Sequence, residues 1–324
     1  MESFEDRFNA FIPELTDSLS VPDDPQWSVK GFIDYYKNIY TISSDTKVIS
    51  KIIELMIFPK FLEFAKRYNY EIKLSPHQNY YPDITFIDSD KNRFAIDIKS
   101  TYRKSDKKVN GMTLGAFTGY FRNRSSTKNV VFPYDSYKKH FVFGIIYSRS
   151  DITMIEQHLK INGLKLNTST KDNLITYMND CTEENWAKFC SQVSKKHNIE
   201  FRKEEFDSLL SNETDVYDIN NFTNIKSVIR DFEFFIQEKW RIATYRPGSG
   251  NTKNIGSESE IRILKEGKGL FFREFGEDGQ QAFDKYWMHY ETKGMAKDSG
   301  KDKPLFKDLE SFKVWVKTLS DSLT

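Results

Sequence analysis

The residues best suited to chemistry are Pro82-Asp83 and, after thirteen intervening residues, Asp97-Ile98-Lys99. The stretches that carry them, Asp83 to Ile87 and Arg93 to Ile98, are short and β-rich, with turn chemistry in Asp88-Ser89-Asp90-Lys91-Asn92 between them. A hairpin of that length brings two inward-facing carboxylates close together. Lys99, two residues beyond Asp97, projects from the same face. Carboxylates are preferred ligands of Mg²⁺, which keeps several waters and accepts phosphate oxygens. Such an ion lowers the pKa of a coordinated water and neutralises charge growing on a phosphate, and a neighbouring ammonium orients the attacking water. Together the three residues suit phosphodiester hydrolysis. The structural alternative has Asp83 capping a turn and Lys99 ending a strand in solvent. Against it, Phe94-Ala95-Ile96 and Ile98 set Asp97 in an apolar strand, where an unpaired carboxylate is costly.

Three further groups bear on this pair. Glu54 lies in a helical stretch among Ile52, Ile53, Leu55 and Met56, where it is either a solvated helix residue or a third acid aimed at the pair. Gly248-Ser249-Gly250-Asn251-Thr252-Lys253-Asn254 is either a solvent loop or a reader of bases: glycines allow close approach, and an Asn amide pairs with N6 and N7 of adenine. The loop His77 to Tyr81 immediately precedes Pro82 and must lie near any nucleic acid that the acids meet. The basic run Lys99 to Lys108 is either a solvated loop or positive charge beside a polyanion site.

The elements that must hold these residues are legible in outline. Phe4, Phe8 and Phe11 have helical spacing, with Pro13 a break or kink, and Ser28 to Tyr40 reads as a second helix. Ser44-Asp45-Thr46 caps a long run, Val48 to Tyr70, bent at Pro59. Glu71 to Leu74 is a strand, and His140 to Tyr147 is a continuous apolar run suited to a buried central strand. Residues 151–225 read as mainly helical and acidic, with Trp186, Phe189 and Val193 on one face. Ser227 to Ala243 is strand-like, Arg246 to Ser257 a loop, and Gln280 to Tyr290 and Leu309 to Leu319 are helices.

With 324 residues, 38% hydrophobic and 15% aromatic, the chain can bury a sizeable core and is not a disordered sequence. No window approaches the ~18 consecutive apolar residues of a membrane span. The acidic start Met1-Glu2-Ser3-Phe4-Glu5-Asp6 is unlike a secretory signal, and two cysteines make no disulfide framework, so the expected setting is cytoplasmic. Net charge is +1, yet residues 151–235 hold ten basic and fifteen acidic residues, leaving the rest of the chain basic. The five histidines lack metal spacing, and no Gly-rich phosphate loop suggests coupling to ATP. The fold class expected is α/β in the α+β sense, without a linker long enough to separate independent domains.

Several longer segments carry a resemblance. SDTKV (44–48), QNYYPDITF (78–86), AIDIKSTY (95–102), TLGAFTGYFRN (113–123), TKNVVFPYDSY (127–137), GSGNTKNIGS (248–257) and EGKGLF (266–271) resemble, in order, the EcoRV-type type II restriction endonucleases of the PD-(D/E)xK superfamily. The resemblance implies a restriction-endonuclease-like fold with a central mixed five-stranded sheet flanked by helices, in one domain over 1–324. Residues 28–150 and 237–290 would form the catalytic and DNA-recognition core, and 151–235 a helical insertion. It implies a homodimer on palindromic double-stranded DNA, with Mg²⁺ as cofactor, no membrane, and a DNA methyltransferase in the host. Asp83, Asp97 and Glu54 match the metal-binding acids, Lys99 the catalytic lysine, and Ile98 a backbone carbonyl near the metal. Gly248, Ser249, Gly250, Asn251, Thr252 and Lys253 match the base-reading loop, and Gln78 and Asn79 a minor-groove loop. Lys47, Thr101, Thr113 and Lys128 match positions near phosphates. The implied target is GATATC, cut centrally to blunt ends. His77, Gly119, Lys253 and the long connection from Arg149 to Gln237 depart from the family pattern. The alternatives are a same-fold repair nuclease or a sequence-specific DNA-binding protein that does not cut.

Overall fold

The computed structural model describes residues 2–21, 24–42, 45–77, 79–150, 182–197, 216–218, 227–248 and 253–321. They fall into two compact units, one of residues 1–25, 46–148 and 230–324 and a second of 26–45 and 149–229.

In the first unit, α1 (Phe4–Leu19) starts at a capping box in which the Ser3 hydroxyl accepts from the Asp6 amide and the Asp6 carboxylate accepts from the Ser3 amide. It continues without a break across Pro13, and α2 (Thr46–Tyr68) likewise contains Pro59. Both prolines are exposed, so the carbonyls that lose a partner four residues earlier, on Asn9 and Leu55, belong to solvent-facing residues. The opposite faces of these helices are aromatic and buried. Phe4 stacks on Phe94 at 4.6 Å, and Phe8 meets Phe64 at 4.8 Å.

The sheet under these rings has eight strands rather than the expected five, and five of them are β1 (Glu71–Leu74), β2 (Ile84–Ile87), β3 (Arg93–Ser105), β4 (Lys139–Arg149) and β5 (Ile229–Glu238), in the spatial order β5-β4-β3-β2-β1. β1, β2 and β3 pair antiparallel, whereas β4 lies parallel to β3 with Val142 opposite Asp97 and Gly144 opposite Lys99. The sheet is therefore mixed, with helices packed on it, and its class is α+β. Gly144 is required by close packing: a Cβ there would lie 2.0 Å from the Phe235 ring. The second face of the sheet, presented by Ala95, Val142, Ile146 and Phe235, belongs to a core with Trp240, Tyr286 and Trp287. Helices Gly279–His289 and Leu309–Asp321 match the expected ones, while Ile261–Glu266, Leu270–Phe275 and Lys293–Asp298 are additional.

After β5 the chain makes one helical turn, α3 (Lys239–Ile242), and continues into β6 (Ala243–Pro247) and β7 (Asn254–Ser257). The expected loop from Arg246 to Ser257 is thus largely an antiparallel hairpin. β7 also pairs with the Thr113–Ala116 strand, giving a three-stranded sheet.

The second unit corrects one expectation. Residues 28–40 are not a helix but two strands, Gly31–Ile33 and Asn38–Thr41, which form a three-stranded sheet with Val216–Asp218. The reversal is a turn in which Lys37 has φ +68° and donates its amide to the Asp34 carbonyl. Of the expected helical insertion, Glu183–His197 is a helix with Trp186 and Phe189 buried. The strand at Val216–Asp218 stands within the insertion expected to be mainly helical, and residues 151–181, 198–215 and 219–226 lie outside the described ones. Among the described residues no helix is long and apolar enough to cross a membrane.

Candidate active site

The antiparallel register sets Ile84 opposite Ile96. One step further along each strand, Asp83 faces Asp97, so the thirteen-residue spacing is the one that makes them cross-strand neighbours. The Asp83 carboxylate accepts the Ile98 amide at 2.7 Å, which locks its orientation. Lys99 projects to the same face as Asp97 and reaches its Oδ1 at 2.7 Å and the Ile98 carbonyl at 3.2 Å. Asp97 is only 6% exposed, and its Oδ2 is buried without a hydrogen-bond partner.

The two acids are electrostatically unlike. Burial, and then the charge of Asp97, push Asp83 up to about 7, against the pull of Lys99 and the Ile98 amide. For Asp97 burial acts in the same upward sense, but the ammonium groups of Lys99 and Lys239 and a hydrogen bond from Asp83 outweigh it and hold the carboxyl below its ordinary value. Lys99 stays above the usual lysine range despite burial, because Asp97 and Asp83 favour its charge. Of the two, Asp83 is the acid that holds a proton more readily and Asp97 the one kept ionised.

The donor set suits a hard divalent cation. One buried carboxylate oxygen is orphaned, a second carboxylate stands across the strand gap, and the Lys99 ammonium already rests on two oxygens, from Asp97 and Ile98, that a cation could take instead. Among the described residues no group of three His, Cys, Asp or Glu side chains forms a metal cluster. Glu54 is instead paired with Lys51 at 2.8 Å on the partly exposed face of α2, although its charge still contributes to that of Lys99.

The other sequence-indicated residues fall in several places. Lys47, Asn79 and Lys128 are exposed. Thr101 is buried, and its hydroxyl donates to the Asn110 carbonyl at 2.5 Å, tying β3 to the segment that leads into Thr113. Thr113 lies opposite Gly256, with its methyl against Gly248, where a Cβ would approach to 2.7 Å. The Gly248 amide donates to the Asn254 carbonyl, and the exposed Lys253 accepts from the Phe117 amide through its own carbonyl. Gln78, Ser249, Gly250, Asn251 and Thr252 lie outside the described residues.

One residue of the site escaped sequence reasoning. Lys239 is 2% exposed, and its Nζ sits 4.2 Å from the centre of the Tyr81 ring. The sequence marks it poorly, because Lys239 stands among other polar residues, Gln237, Glu238 and Arg241, between Phe234-Phe235-Ile236 and Ile242.

A mixed sheet flanked by helices, with two carboxylates and a lysine on one face of adjacent strands, is the framework of a restriction-type nuclease. The profile of the restriction endonuclease EcoRV family matches residues 23–201 and 202–317, and the chain belongs to that family. It is 29% identical over 297 residues to the type II restriction enzyme EcoRV of Escherichia coli, spanning 91% of this chain and 93% of that protein. The chain is accordingly a restriction endonuclease of the EcoRV type.

Proposed function

We propose that this enzyme is a Mg²⁺-dependent type II endonuclease that cuts both strands of palindromic duplex DNA, with GATATC as target and blunt ends as product. The observation that carries the cleavage chemistry is the facing pair Asp83 and Asp97 with Lys99 beside them. Asp83 and Asp97, with the Ile98 carbonyl, would hold Mg²⁺, and Glu54 stands by on α2. When bound, Mg²⁺ supplies a more acidic water and offsets charge on the phosphate. The chain's own part is to orient the Asp83 carboxylate through the Ile98 amide and to keep Asp97 ionised. Lys99 places an ammonium where attacking water and developing negative charge meet it.

Sequence readout is assigned to the β6–β7 hairpin, whose tip carries Gly248 to Lys253. Asn251 offers the bidentate amide for adenine. Gln78 and Asn79 are assigned to the minor groove, and Lys47, Thr101, Thr113 and Lys128 to the phosphates or to their support. Two copies reading one palindrome make the working form a homodimer with matching half-sites. Such an enzyme acts in the cytoplasm of a host whose own sites a DNA methyltransferase protects.

Digestion of a fully sequenced plasmid with Mg²⁺ or with EDTA, followed by end sequencing, tests this reading. Mg²⁺-dependent blunt ends within GATATC are expected. Discrete ends at another palindrome would overturn the target, a smear would overturn site specificity, and no scission would leave a DNA-binding protein.

A further inference from the structure

Lys239 belongs to no step described so far, yet a buried lysine needs a reason, because burial strongly disfavours an ammonium. Its surroundings are built for a cation. Besides Tyr81, the ring of Tyr134 lies 5.8 Å from Nζ, and Tyr81, Tyr120 and Tyr134 stack on one another at 5.1–6.0 Å. Gly115, at φ +86°, passes close by: a Cβ there would stand 3.6 Å from the Lys239 Nζ and 3.3 Å from the Tyr120 hydroxyl. Burial lowers Lys239 to about 8, and Asp97 is the strongest influence favouring its charge, ahead of Asp284 and Asp83.

The two lysines of the site differ in freedom. Lys99 is one-quarter exposed and rests on the carboxylate and carbonyl oxygens that a cation would use. Lys239 is 2% exposed and held against the Tyr81 and Tyr134 rings. At rest, the charges of both Lys99 and Lys239 bear on Asp97 and Asp83. When a divalent cation enters, Lys99 must give up its contact with Asp97, while the charge of Lys239 remains behind the acids and opposes the incoming charge.

We propose that Lys239 is a positioning residue of the cation site: a fixed counter-charge behind Asp97 that balances the acid pair at rest and sets how tightly a divalent cation is held. The sign follows from charge alone. Removing one positive charge favours a doubly charged ion twice as strongly as it favours a single retained proton, so the cation binds more tightly even where one proton must be displaced.

The inference rests on the reading that Asp83 and Asp97 hold a divalent cation. Calorimetric titration of the full chain with Ca²⁺ at pH 7, without DNA, tests both. Lys239→Met, which keeps the stem and removes the charge, is expected to bind Ca²⁺ about tenfold more tightly than wild type, and Lys239→Arg to bind within about twofold of it. Wild-type protein that binds no Ca²⁺ refutes the cation site itself. Wild-type protein that binds, beside a folded Lys239→Met that binds equally or more weakly, refutes the role of Lys239 alone. If Met at this position prevents folding, Lys239→Gln is read in the same way. A Lys239→Arg protein that tightens as much as the neutral variant also refutes the counter-charge, since a merely structural lysine would not separate the two.

Discussion

Replacing Asp83 with Asn should stabilise the metal-free protein at neutral and alkaline pH. Folding lifts the Asp83 carboxyl from 3.8 to about 7, first through burial and then through Asp97. Between those values the folded chain holds a proton that the unfolded chain has released. The associated stability is complete below about pH 4 and is lost as pH rises through 7. A rise of about 3 units at 1.36 kcal/mol each amounts to about 4 kcal/mol by pH 8. An Asn at 83 imitates the protonated acid: its carbonyl can still accept the Ile98 amide, and its NH₂ can donate to Asp97. The opposite influence, from the lowered Asp97, acts below its ordinary 3.8 and does not overlap this window. Urea denaturation in EDTA, followed by tryptophan fluorescence from pH 4.5 to 8.5, should show Asp83→Asn and wild type converging at the acid end and separating by up to about 4 kcal/mol in favour of the variant at pH 8. Saturating Ca²⁺ should then shift the advantage back towards wild type, which alone keeps both carboxylates. Parallel curves, or a gap that opens towards acid, would refute the assignment of the proton to Asp83.

Three other perturbations separate chemistry from scaffold. Asp97→Ala should lose at least about 10³-fold in cleavage while keeping a native circular-dichroism spectrum, and wild-type turnover in a plasmid assay would remove the proposed site. Phe8→Ala removes a fully buried ring from between α2 and the sheet and should cost about 3–5 kcal/mol in chemical denaturation; a loss below 1 kcal/mol would show that the aromatic layer does not support the strands. Gly256→Ala places a Cβ 2.6 Å from the Arg246 carbonyl, so it should disrupt the β6–β7 pairing and weaken discrimination between cognate and non-cognate duplexes more than it lowers Tm. Unchanged discrimination would detach the hairpin from readout.

The parts legible in the sequence are those fixed by local pattern and short range. α2, the three-strand meander and the apolar β4 show their periods directly, and Asp83 and Asp97 are joined by a single tight turn, so their meeting follows from register alone. Residues 31–41 misled because Phe32, Tyr36 and Tyr40 fit a helical repeat as well as a strand. The turn that decides the matter depends on a left-handed Lys37, a residue type that does not announce it, and the third strand comes from residues 216–218. Lys239 was hidden for a similar reason. The rings and carboxylates that account for it come from positions 81, 97 and 134, brought together only by the parallel crossover between β3 and β4 and by the arrival of β5.

The three-stranded sheet that carries Gly248 and Lys253 defines what could be exchanged to redirect such an enzyme, if the segment between them reads bases as proposed. The Gly256 backbone leaves no room for a side chain, Thr113 presses on Gly248, and Ser257 exchanges hydrogen bonds with Met112. A segment grafted onto Gly248 and Lys253 alone would inherit the backbone positions that these contacts fix at its two ends. The smallest portable module is the loop with β6, β7 and the Thr113–Ala116 strand. Because that strand follows β3 in the chain, with only residues 106–112 between them, a transplant must be spliced into the segment that continues the Lys99 strand, and retargeting is tied to the element that carries the cut.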